Sequence, residues 1–397
     1  MKILQVTPRI PSPPNDGGAV YIYYTTKYLS LLGEDVQIVS FISNKHAQEP
    51  ELLDPYSEIF AVDGKFKPYN FFAALKSLLT LKPITIQHRM KPSLMQEALN
   101  KVTISPDIIL LEGLHTAAFT HLVKEKFPSV PIILRQSNVE YLLLKRNAET
   151  SANPAIKLFY YLQSQFMKRF EIKSMSNVDA VTAITPFDKD IYLQNIPDLN
   201  CFVSPAGTEI PTALEVKRNS AQLLAISNWR WKPNIDGLRW FFKEVWPELK
   251  QRHQNISIDV AGEGLTEKFK STFDSPGINY LGFVDDLEPL RQSATVFVAP
   301  LFSGSGMKLK IVEGLASGLP IVTTAIGAEG IDIRNGVHYL EGNSIDQFIE
   351  HITSLLENED LRDRLSGNAR KIAVDKYDWE SVTKRLIQFL KSIKRSG

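Results

Sequence analysis

The chain of 397 residues suits two domains of about 200 residues each, and its composition excludes several classes of protein. Hydrophobic residues make up 44% and charged residues 22%, which excludes a disordered, collagenous or coiled-coil chain. Because 45 Lys and Arg balance 44 Asp and Glu, no overall positive charge favours nucleic acid. The single cysteine, Cys201, excludes an internal disulfide and a cysteine-based zinc site.

The first half of the chain alternates strand and helix patterns. Residues 2–7 form a predicted strand, and residues 8–18, with four prolines and two glycines, form a predicted loop. Asp16 is a suitable N-cap for a predicted helix at 19–32. Further strands are predicted at the apolar runs 36–41, 107–111, 131–134 and 180–184. This alternation predicts a parallel α/β sheet.

The second half restarts the same alternation after a polar stretch without periodicity at 203–222, which is predicted as a linker. Helices are predicted at 235–250, 346–357 and 379–394, and strands at 223–226, 257–260, 280–283, 296–299 and 321–323. We therefore predict two α/β domains separated by a cleft, with bounds 1–203 and 204–378, followed by a C-terminal helical segment at 379–397. No apolar run approaches the ~20 residues that span a bilayer, so we expect a soluble cytoplasmic chain.

One basic stretch departs from the average composition. Residues 65–101 carry seven Lys or Arg against one Glu, with interleaved Phe71, Phe72, Leu75, Leu78 and Leu79. Two interpretations stay open: a partly buried helix with solvated lysines, and a basic amphipathic helix lying on an anionic membrane surface. The second would place the chain peripherally on the inner face of the membrane.

The segment 302–320 (FSGSGMKLKIVEGLASGLP) is the strongest candidate for chemistry. Gly304 and Gly306 open a loop in which backbone amides can approach an anion. A helix follows and ends at Gly318 and Pro320. Its N-terminus offers unpaired N–H groups and about half a positive charge to a ligand.

The helical wheel of this segment places four residues on one narrow face, at about 100° per residue. A diphosphate could sit at Lys310, ribose hydroxyls could bind Glu313, and Gly314 and Ser317 would leave room for the ligand. Lys308 joins them only if the helix begins after it. The alternative is an ordinary amphipathic helix with a Lys310–Glu313 pair.

Two further segments follow the first predicted strand of each half. Gly17 and Gly18 could let the backbone approach a phosphate or sugar at a helix N-terminus, or could simply make a turn. Residues 227–234 (SNWRWKPN) supply Arg230 and Lys232 as positive charges, and their tryptophans could equally be packing residues.

These motifs together resemble the family-4 retaining glycosyltransferases of the GT-B fold, in the branch that builds bacterial exopolysaccharide or lipopolysaccharide. The resemblance runs from about residue 2 to 390, and the order and spacing of the motifs carry it. The matching segments are 11–18 (PSPPNDGG), 137–140 (SNVE), 231–234 (WKPN), 260–264 (VAGEG), 282–287 (GFVDDL), 304–320, 327–331 (GAEGI) and 377–380 (YDWE).

The resemblance implies two Rossmann-like domains, an acceptor side first and a nucleotide-sugar side second, with the last helix crossing back onto the first. It implies that Glu313 binds the ribose and Lys310 the diphosphate. Several positions depart from the family pattern. Ser305 stands where a glutamate is usual, Ser137 where a histidine is usual, and Lys308 where an arginine is usual. The arginine and lysine that often bind the diphosphate after the first strand of the second domain fall near Asn228 and Pro233.

The predicted site residues form three sets, with a nucleoside-diphosphate sugar as co-substrate, a glycan or lipid-linked acceptor, and no metal or other cofactor. The predicted catalytic residues are Lys308, Lys310 and Glu140, of which Glu140 could act as nucleophile or base or be structural. The predicted acceptor-binding residues are Glu112, His115, Ser137 and Asn138, of which His115 could also be structural. The predicted donor-binding residues are Gly17, Gly18, Ser227, Arg230, Phe283, Val284, Gly304, Ser305, Gly306, Met307, Lys308, Lys310 and Glu313.

The predicted reaction is transfer of a sugar with retention at the anomeric carbon. Two alternatives stay open: a catalytically inactive GT-B scaffold or nucleotide-binding partner subunit, and a nucleotide-sugar 2-epimerase.

Overall fold

The computed structural model describes residues 1–43, 48–64, 66, 70–212, 221–304 and 306–396. The chain divides into two compact units. Unit 1 consists of Met1–Ala206 and Trp379–Gly397, and unit 2 consists of Gly207–Asp378. Each unit is built around its own parallel sheet, as the alternating strand and helix patterns predict.

The sheet of unit 1 has, within the described ranges, seven parallel strands in the order β3-β2-β1-β4-β5-β6-β7. Its central strands are buried along almost their whole length, because helices cover both faces. The edge strands β3 and β7 are missing from the sequence prediction. The strands are β1 (Lys2–Val6), β2 (Asp35–Ile42), β3 (Glu58–Asp63), β4 (Ile108–Glu112), β5 (Ile132–Arg135), β6 (Ala180–Ala183) and β7 (Cys201–Val203).

The helices of unit 1 include a long antiparallel pair, α7 and α8, after β5. The helices are α1 (Gly17–Leu31), α2 (Phe71–Thr80), α3 (Ile84–Arg89), α4 (Pro92–Asn100), α5 (Leu114–Ala117), α6 (Thr120–Lys126), α7 (Glu140–Thr150), α8 (Pro154–Met175) and α9 (Pro186–Asn195). In α1 the Asp16 carboxylate accepts a hydrogen bond from the Ala19 amide at 3.0 Å, as its N-cap role predicts. The helix begins two residues earlier than predicted, so Gly17 and Gly18 form its exposed first turn.

The sheet of unit 2 has, in the part of the chain that is described, six parallel strands in the order β10-β9-β8-β11-β12-β13. Strands β11 and β12 coincide with the predicted ranges. The strands are β8 (Gln222–Ile226), β9 (Ser257–Ala261), β10 (Ile278–Gly282), β11 (Val296–Ala299), β12 (Ile321–Thr323) and β13 (Leu340–Glu341).

The helices of unit 2 cover both faces of this sheet. They are α10 (Lys232–Trp240), α11 (Trp246–Arg252), α12 (Glu267–Thr272), α13 (Glu288–Ser293), α14 (Leu309–Ala316), α15 (Ala325–Ala328), α16 (Ile345–Glu357) and α17 (Glu359–Tyr377). The single helix predicted at 235–250 is instead α10 and α11 joined by a wider π-helical turn, Phe241–Val245. Pro247 has no N–H to donate to the preceding turn, so the α-helical hydrogen-bond ladder is interrupted there.

The last helix, α18 (Trp379–Ser396), belongs to unit 1. Its Leu386 and Leu390 are buried in one apolar cluster with Leu29 of α1. The Trp379 ring stacks on Tyr24 with ring centroids 5.4 Å apart.

None of the described helices combines the length and the apolar character needed to cross a bilayer.

Both sheets have a point where the strand order reverses. In unit 1 it lies between β1 and β4, and in unit 2 between β8 and β11. In open parallel sheets, ligands bind outside the carboxyl ends of the strands at such a point. The loops that follow these four strands are therefore where functional residues are expected.

Candidate functional sites

The unit 2 site forms where the loop after β8 meets the N-terminal end of α14. Lys310, in the first turn of α14, donates hydrogen bonds from Nζ to Ser227 Oγ at 2.7 Å and to Asn234 Oδ1 at 3.0 Å. Ser227 directly follows β8, and Asn234 lies in the first turn of α10. Two predicted residues, Ser227 and Lys310, are thus brought together, and Asn234 is a third member that the sequence prediction lacks.

Lys310 is held where its positive charge is disfavoured. Burial lowers the pKa of Lys310 to about 7, and the nearby positive charge of Lys308 contributes to the same shift. Within the described residues, its side-chain hydrogen bonds go to neutral oxygens only. An anion placed beside the ammonium would supply the missing counter-charge, so this site favours a negatively charged ligand.

Lys308 precedes α14 rather than lying within it. Its backbone has φ −93° and ψ 95°, which is not helical, and its Nζ donates to the Gly306 carbonyl at 2.8 Å. The condition for Lys308 to share the site with Lys310 is therefore met. Gly304 and Gly306 have φ of +128° and +69°, a region that side chains disfavour, so this loop requires glycine. The predicted Ser305 lies outside the described residues.

Glu313, one turn along α14 from Lys310, is held by a residue of another helix. Arg291 of α13 donates a hydrogen bond to the Glu313 carboxylate and also lies 3.7 Å from Glu288. Glu288 in turn accepts a hydrogen bond from Ser317 Oγ at 2.8 Å. The alternative of a local Lys310–Glu313 ion pair is not formed among these described side chains, and Glu313 is instead positioned by Arg291.

The interpretation of Gly314 as space for a ligand is wrong. Gly314 is buried, and a β-carbon there would lie 3.2 Å from Ile321 Cδ1 and 3.6 Å from Phe297 Cδ1. Its small size therefore allows α14 to pack on the sheet. Ser317 likewise does not leave open space, because its hydroxyl hydrogen-bonds Glu288.

The segment after β8 places its aromatic and basic side chains differently from the prediction. Trp229 is buried and donates from Nε1 to the Ala261 carbonyl at 3.0 Å, so it is a packing residue. Arg230 and Lys232 are exposed, and each is paired with a nearby acidic side chain. The contact to Lys310 is made by Asn234 and Ser227 instead.

The glycines of the VAGEG motif hold this segment in place. A β-carbon on Gly262 would lie 1.8 Å from the Ser227 carbonyl oxygen, and one on Gly264 would lie 2.6 Å from the Arg230 amide. Both glycines also have positive φ. The motif therefore permits the close backbone contact that sets the position of Ser227.

Three other predicted donor residues lie in the loops around the same sheet. Val284 and Met307 are partly buried and pack against the apolar cluster that includes Ile311. Phe283 follows β10, and its ring is largely exposed. An exposed aromatic ring at the end of a strand can stack on a planar ligand group.

The unit 1 site is a cavity of about 100 Å³ beneath the loops that follow β1, β4 and β5. Five predicted residues from separate parts of the sequence line it: Gly18, Glu112, His115, Ser137 and Glu140. Gly17 and Asn138 are not among its lining residues. Asn138 instead accepts a backbone hydrogen bond from Tyr192 Oη at 3.0 Å.

Glu112 is anchored by a buried ion pair. Arg135 Nη1 lies 2.6 Å from Glu112 Oε1, and both side chains are almost fully buried. The Arg135 guanidinium also lies 4.3 Å from the centroid of the Tyr21 ring. Glu112 Oε2 and Arg135 Nε are buried and have no hydrogen-bond partner among the described residues. The prediction missed Arg135, although an arginine ending the apolar run IILR is itself an unusual pattern.

Burial disfavours the charged forms of both His115 and Glu140 in this cavity. Burial lowers the pKa of His115 to about 3, with the charge of Arg89 contributing, so its imidazole is neutral at pH 7. Burial raises the pKa of Glu140, and Arg89 opposes that shift. Both groups can therefore take part in hydrogen bonds or proton exchange with a neutral ligand.

Glu140 is not the cap of α7, because another carboxylate has that role. The Glu171 carboxylate, from α8, accepts hydrogen bonds from the Glu140 and Tyr141 amides at 3.3 Å each. Burial and the neighbouring Glu140 raise the pKa of Glu171 well above its usual range. The Glu140 side chain thus remains available to the cavity.

In the described part of the chain, no group of three or more His, Cys, Asp or Glu side chains could hold a metal ion.

Residues 220–358 match the family model described as Glycosyl transferases group 1. The chain is 23% identical over 399 residues to an uncharacterized 44.6 kDa protein in the cps region of Klebsiella pneumoniae, covering 96% of this chain and 97% of that one. It is 26% identical over 157 residues to a phosphatidyl-myo-inositol mannosyltransferase of Mycobacterium leprae (strain TN), covering 38% of this chain. That match spans 42% of the mannosyltransferase, which is less than two thirds of its length.

The fold is also found among solved structures. The crystal structure of Anabaena Alr3699/HepE in complex with UDP and glucose superposes with a TM-score of 0.67 at 14% identity, covering 99% of this chain and all of that one. Likeness at this level of identity concerns the fold.

Proposed function

The chain belongs to the group 1 glycosyltransferases of the GT-B fold, and from this membership we propose that it is a retaining, metal-independent hexosyltransferase. It moves a sugar from a nucleoside-diphosphate donor to a hydroxyl of a glycan or lipid-linked acceptor, in the cytoplasm, during synthesis of a cell-surface polysaccharide or glycolipid. The UDP and glucose bound by the HepE structure and the phosphatidyl-inositol acceptor named for the mycobacterial relative support these two substrate classes.

One observation carries the proposal: a lysine without a described counter-charge stands at the helix N-terminus of the unit 2 site. Lys310 is fixed by two neutral oxygens and lies near Lys308. A diphosphate bound there would meet two ammonium groups and the N-terminal end of α14, whose dipole favours an anion. Glu313, held by Arg291, stands one turn further on, where it can accept hydrogen bonds from ribose hydroxyls.

The same groups can accelerate the reaction. The difficult event is departure of the diphosphate while the sugar takes on oxocarbenium character. Lys308 and Lys310 stabilise the negative charge that grows on the leaving oxygens, and they do so without reorganising because they are already in place. The leaving diphosphate then accepts the proton of the acceptor hydroxyl on the same face of the sugar, which gives retention.

Unit 1 supplies the acceptor side in this proposal. Its cavity offers neutral His115, Ser137 and a Glu140 carboxyl with a raised pKa, which suit hydroxyl groups better than a charged ligand. The alternative to proton transfer onto the diphosphate is that Glu140 acts there as the base or nucleophile. Glu112 contributes through its unpartnered Oε2, since its other oxygen is occupied by Arg135.

A thermal-shift screen against nucleoside diphosphates and their sugar conjugates tests the proposal, followed by release of diphosphate from any conjugate that binds. We expect one nucleotide to raise the melting temperature and its sugar conjugate to be hydrolysed slowly. Lys310→Ala should abolish the shift, and the exposed Lys232→Ala should retain it. A shift without release, even with glycan or lipid acceptors, would favour an inactive scaffold. No shift with any nucleotide would refute the assignment of the unit 2 site.

A further inference from the structure

Helix α2 of unit 1 turns its apolar side away from the protein. Phe71 and Phe72 are each 75% exposed and Leu79 is 76% exposed, and Leu75 is exposed as well. The buried position of this helix is instead polar: Ser77, whose hydroxyl accepts a hydrogen bond from Gln163 Nε2 of α8 at 2.8 Å.

The apolar residues occupy one side of the helix. At about 100° per residue, Phe71, Leu75, Leu79 and Phe72 fall within about 100° of one another, and Ser77 is opposite to them. We call these four residues, together with Leu81, the α2 apolar face. A helix with this orientation gains no core burial from its apolar side, so the side chains need another apolar environment.

Leu81, which follows α2, extends this face at an unfavourable position. Its φ of +53° and ψ of +30° are left-handed, and it is the one non-glycine residue with positive φ in the described ranges. Glycine or asparagine usually ends a helix in this conformation, because a β-carbon is strained there. The Leu81 side chain is 57% exposed, so packing within the unit does not offset the backbone strain.

The α8 helix adds a second exposed apolar set next to α2. Gln163 of α8 hydrogen-bonds Ser77 of α2 and also accepts from the Ile84 amide at 2.9 Å, so the two helices are in contact. The first two turns of α8, which precede Gln163, expose Ile156, Leu158 and Tyr161. These two stretches therefore hold eight of the large hydrophobic side chains that the described surface exposes.

The charged residues within both stretches have one sign, and Glu97, Glu149 and Glu171 lie directly beyond them. Residues 70–96 and 150–170 contain seven Lys or Arg and no Asp or Glu, whereas the whole chain is balanced at 45 against 44. The basic residues in them are Lys76, Lys82, Arg89, Lys91, Lys157, Lys168 and Arg169. An exposed apolar face among like positive charges complements an anionic lipid surface, where acyl chains receive the apolar residues and headgroups pair with the bases.

We propose that the α2 apolar face and the first two turns of α8 dock unit 1 on an anionic membrane surface. This goes beyond the proposed transferase activity and depends only on the composition of this surface. Phe72 and Leu79 enter the acyl boundary, and Lys76 and Lys157 meet the headgroup phosphates.

Vesicle co-sedimentation of the full chain tests the docking. Phosphatidylcholine vesicles are compared with vesicles in which about one third of the lipid is phosphatidylglycerol. We expect binding to the anionic vesicles and at least about tenfold weaker binding to the neutral ones, with loss of affinity at high salt. The Phe72→Ser/Leu79→Ser variant should bind at least about tenfold more weakly. The control Leu31→Ser/Leu52→Ser, which removes two exposed leucines elsewhere on unit 1, should bind like the parent.

Leu81→Gly separates docking from folding. Glycine suits the left-handed backbone, so the melting temperature should not fall, while vesicle affinity should fall about threefold because an apolar side chain is lost. The proposal would be overturned if the parent chain does not bind anionic vesicles. It would also be overturned if the Phe72→Ser/Leu79→Ser variant binds them like the parent. A parent that sediments as a dimer, becomes monomeric in that variant and binds no vesicles would assign the face to a second copy and equally overturn it.

Discussion

Nucleotide affinity should fall as the pH rises above 7, and the fall should depend on Lys310. In the free protein burial lowers the pKa of Lys310 to about 7, so the ammonium loses its proton through this range. A bound diphosphate favours the charged form and raises that pKa. Binding therefore takes up a proton above pH 7, and affinity is greatest at lower pH, where Lys310 is already charged.

The size of the pH effect on nucleotide affinity follows from the difference between the pKa of Lys310 in the free protein and its pKa in the complex. Each pH unit between the free and the bound pKa changes the dissociation constant about tenfold. If the diphosphate returns the pKa of Lys310 to about 9 or above, the dissociation constant should rise by about 25- to 50-fold between pH 7 and pH 9, because about half of Lys310 is already deprotonated at pH 7 in the free protein. The terminal phosphate, with a pKa near 6, is already ionised there and does not contribute.

Isothermal titration calorimetry at pH 6.5, 7.5 and 8.5 (values chosen to bracket the pKa of about 7) measures this dependence. Lys310→Met should bind about 10- to 100-fold more weakly at pH 6.5, because a charge-assisted hydrogen bond is lost, and should show little further change with pH. Lys310→Arg keeps its charge throughout and should show an equally flat profile. Lys232→Met, at an exposed lysine of α10, should retain the parent profile. A parent whose affinity does not change between pH 6.5 and 8.5 would refute the placement of the diphosphate at Lys310.

Five further variants test the remaining contacts. Glu313→Gln should weaken nucleotide binding about 10-fold. Because Arg291 positions the Glu313 carboxylate, Arg291→Met should lose part of the same affinity, whereas Arg291→Lys should bind like the parent. Calorimetry measures these affinities, and binding like the parent by all three variants would contradict the role of Glu313. Arg135→Met should lower the free energy of unfolding by about 3–5 kcal/mol, since it leaves the Glu112 carboxylate buried and unpaired, as urea denaturation will show. Glu140→Gln should slow sugar transfer about 100-fold in a turnover assay while nucleotide affinity stays unchanged, and a loss of affinity would contradict its place in unit 1.

The alternation of apolar runs predicts most of the fold, because strands buried on both faces leave a strong local pattern. Strands β11 and β12 match the predicted residues, and both lie inside a sheet covered by helices. The edge strands β3 and β7 were missed, since edge positions are partly exposed and β7 has only 3 residues. The break between α10 and α11 was missed although Pro247 marks it.

Residues of the candidate sites were predictable where a local motif surrounds them. Lys308, Lys310 and the loop glycines stand in one segment with clear glycine and helix signals. Their partners Asn234 and Arg291 come from other helices, 76 and 22 residues away from the residues they contact. No local pattern signals such a contact, because it is created only when the strands assemble side by side. The helical wheel also misplaced Gly314, since it shows which residues share a face but not which edge of that face meets the sheet.

The two sites differ in how their charges are balanced, and this difference favours an assignment of the ligands. In unit 1 the Glu112 carboxylate is neutralised by Arg135, His115 is uncharged at pH 7, and burial raises the pKa of Glu140. The two arginines of the cavity lining, Arg9 and Arg135, are already paired with Asp16 and Glu112, so a diphosphate would have to compete with carboxylates there, whereas hydroxyl groups can hydrogen-bond the polar atoms of the lining. In unit 2 the described side-chain partners of Lys310 are neutral, so its ammonium is stabilised only when an anion arrives. We therefore propose that the diphosphate binds in unit 2 and that the hydroxylated acceptor binds in unit 1.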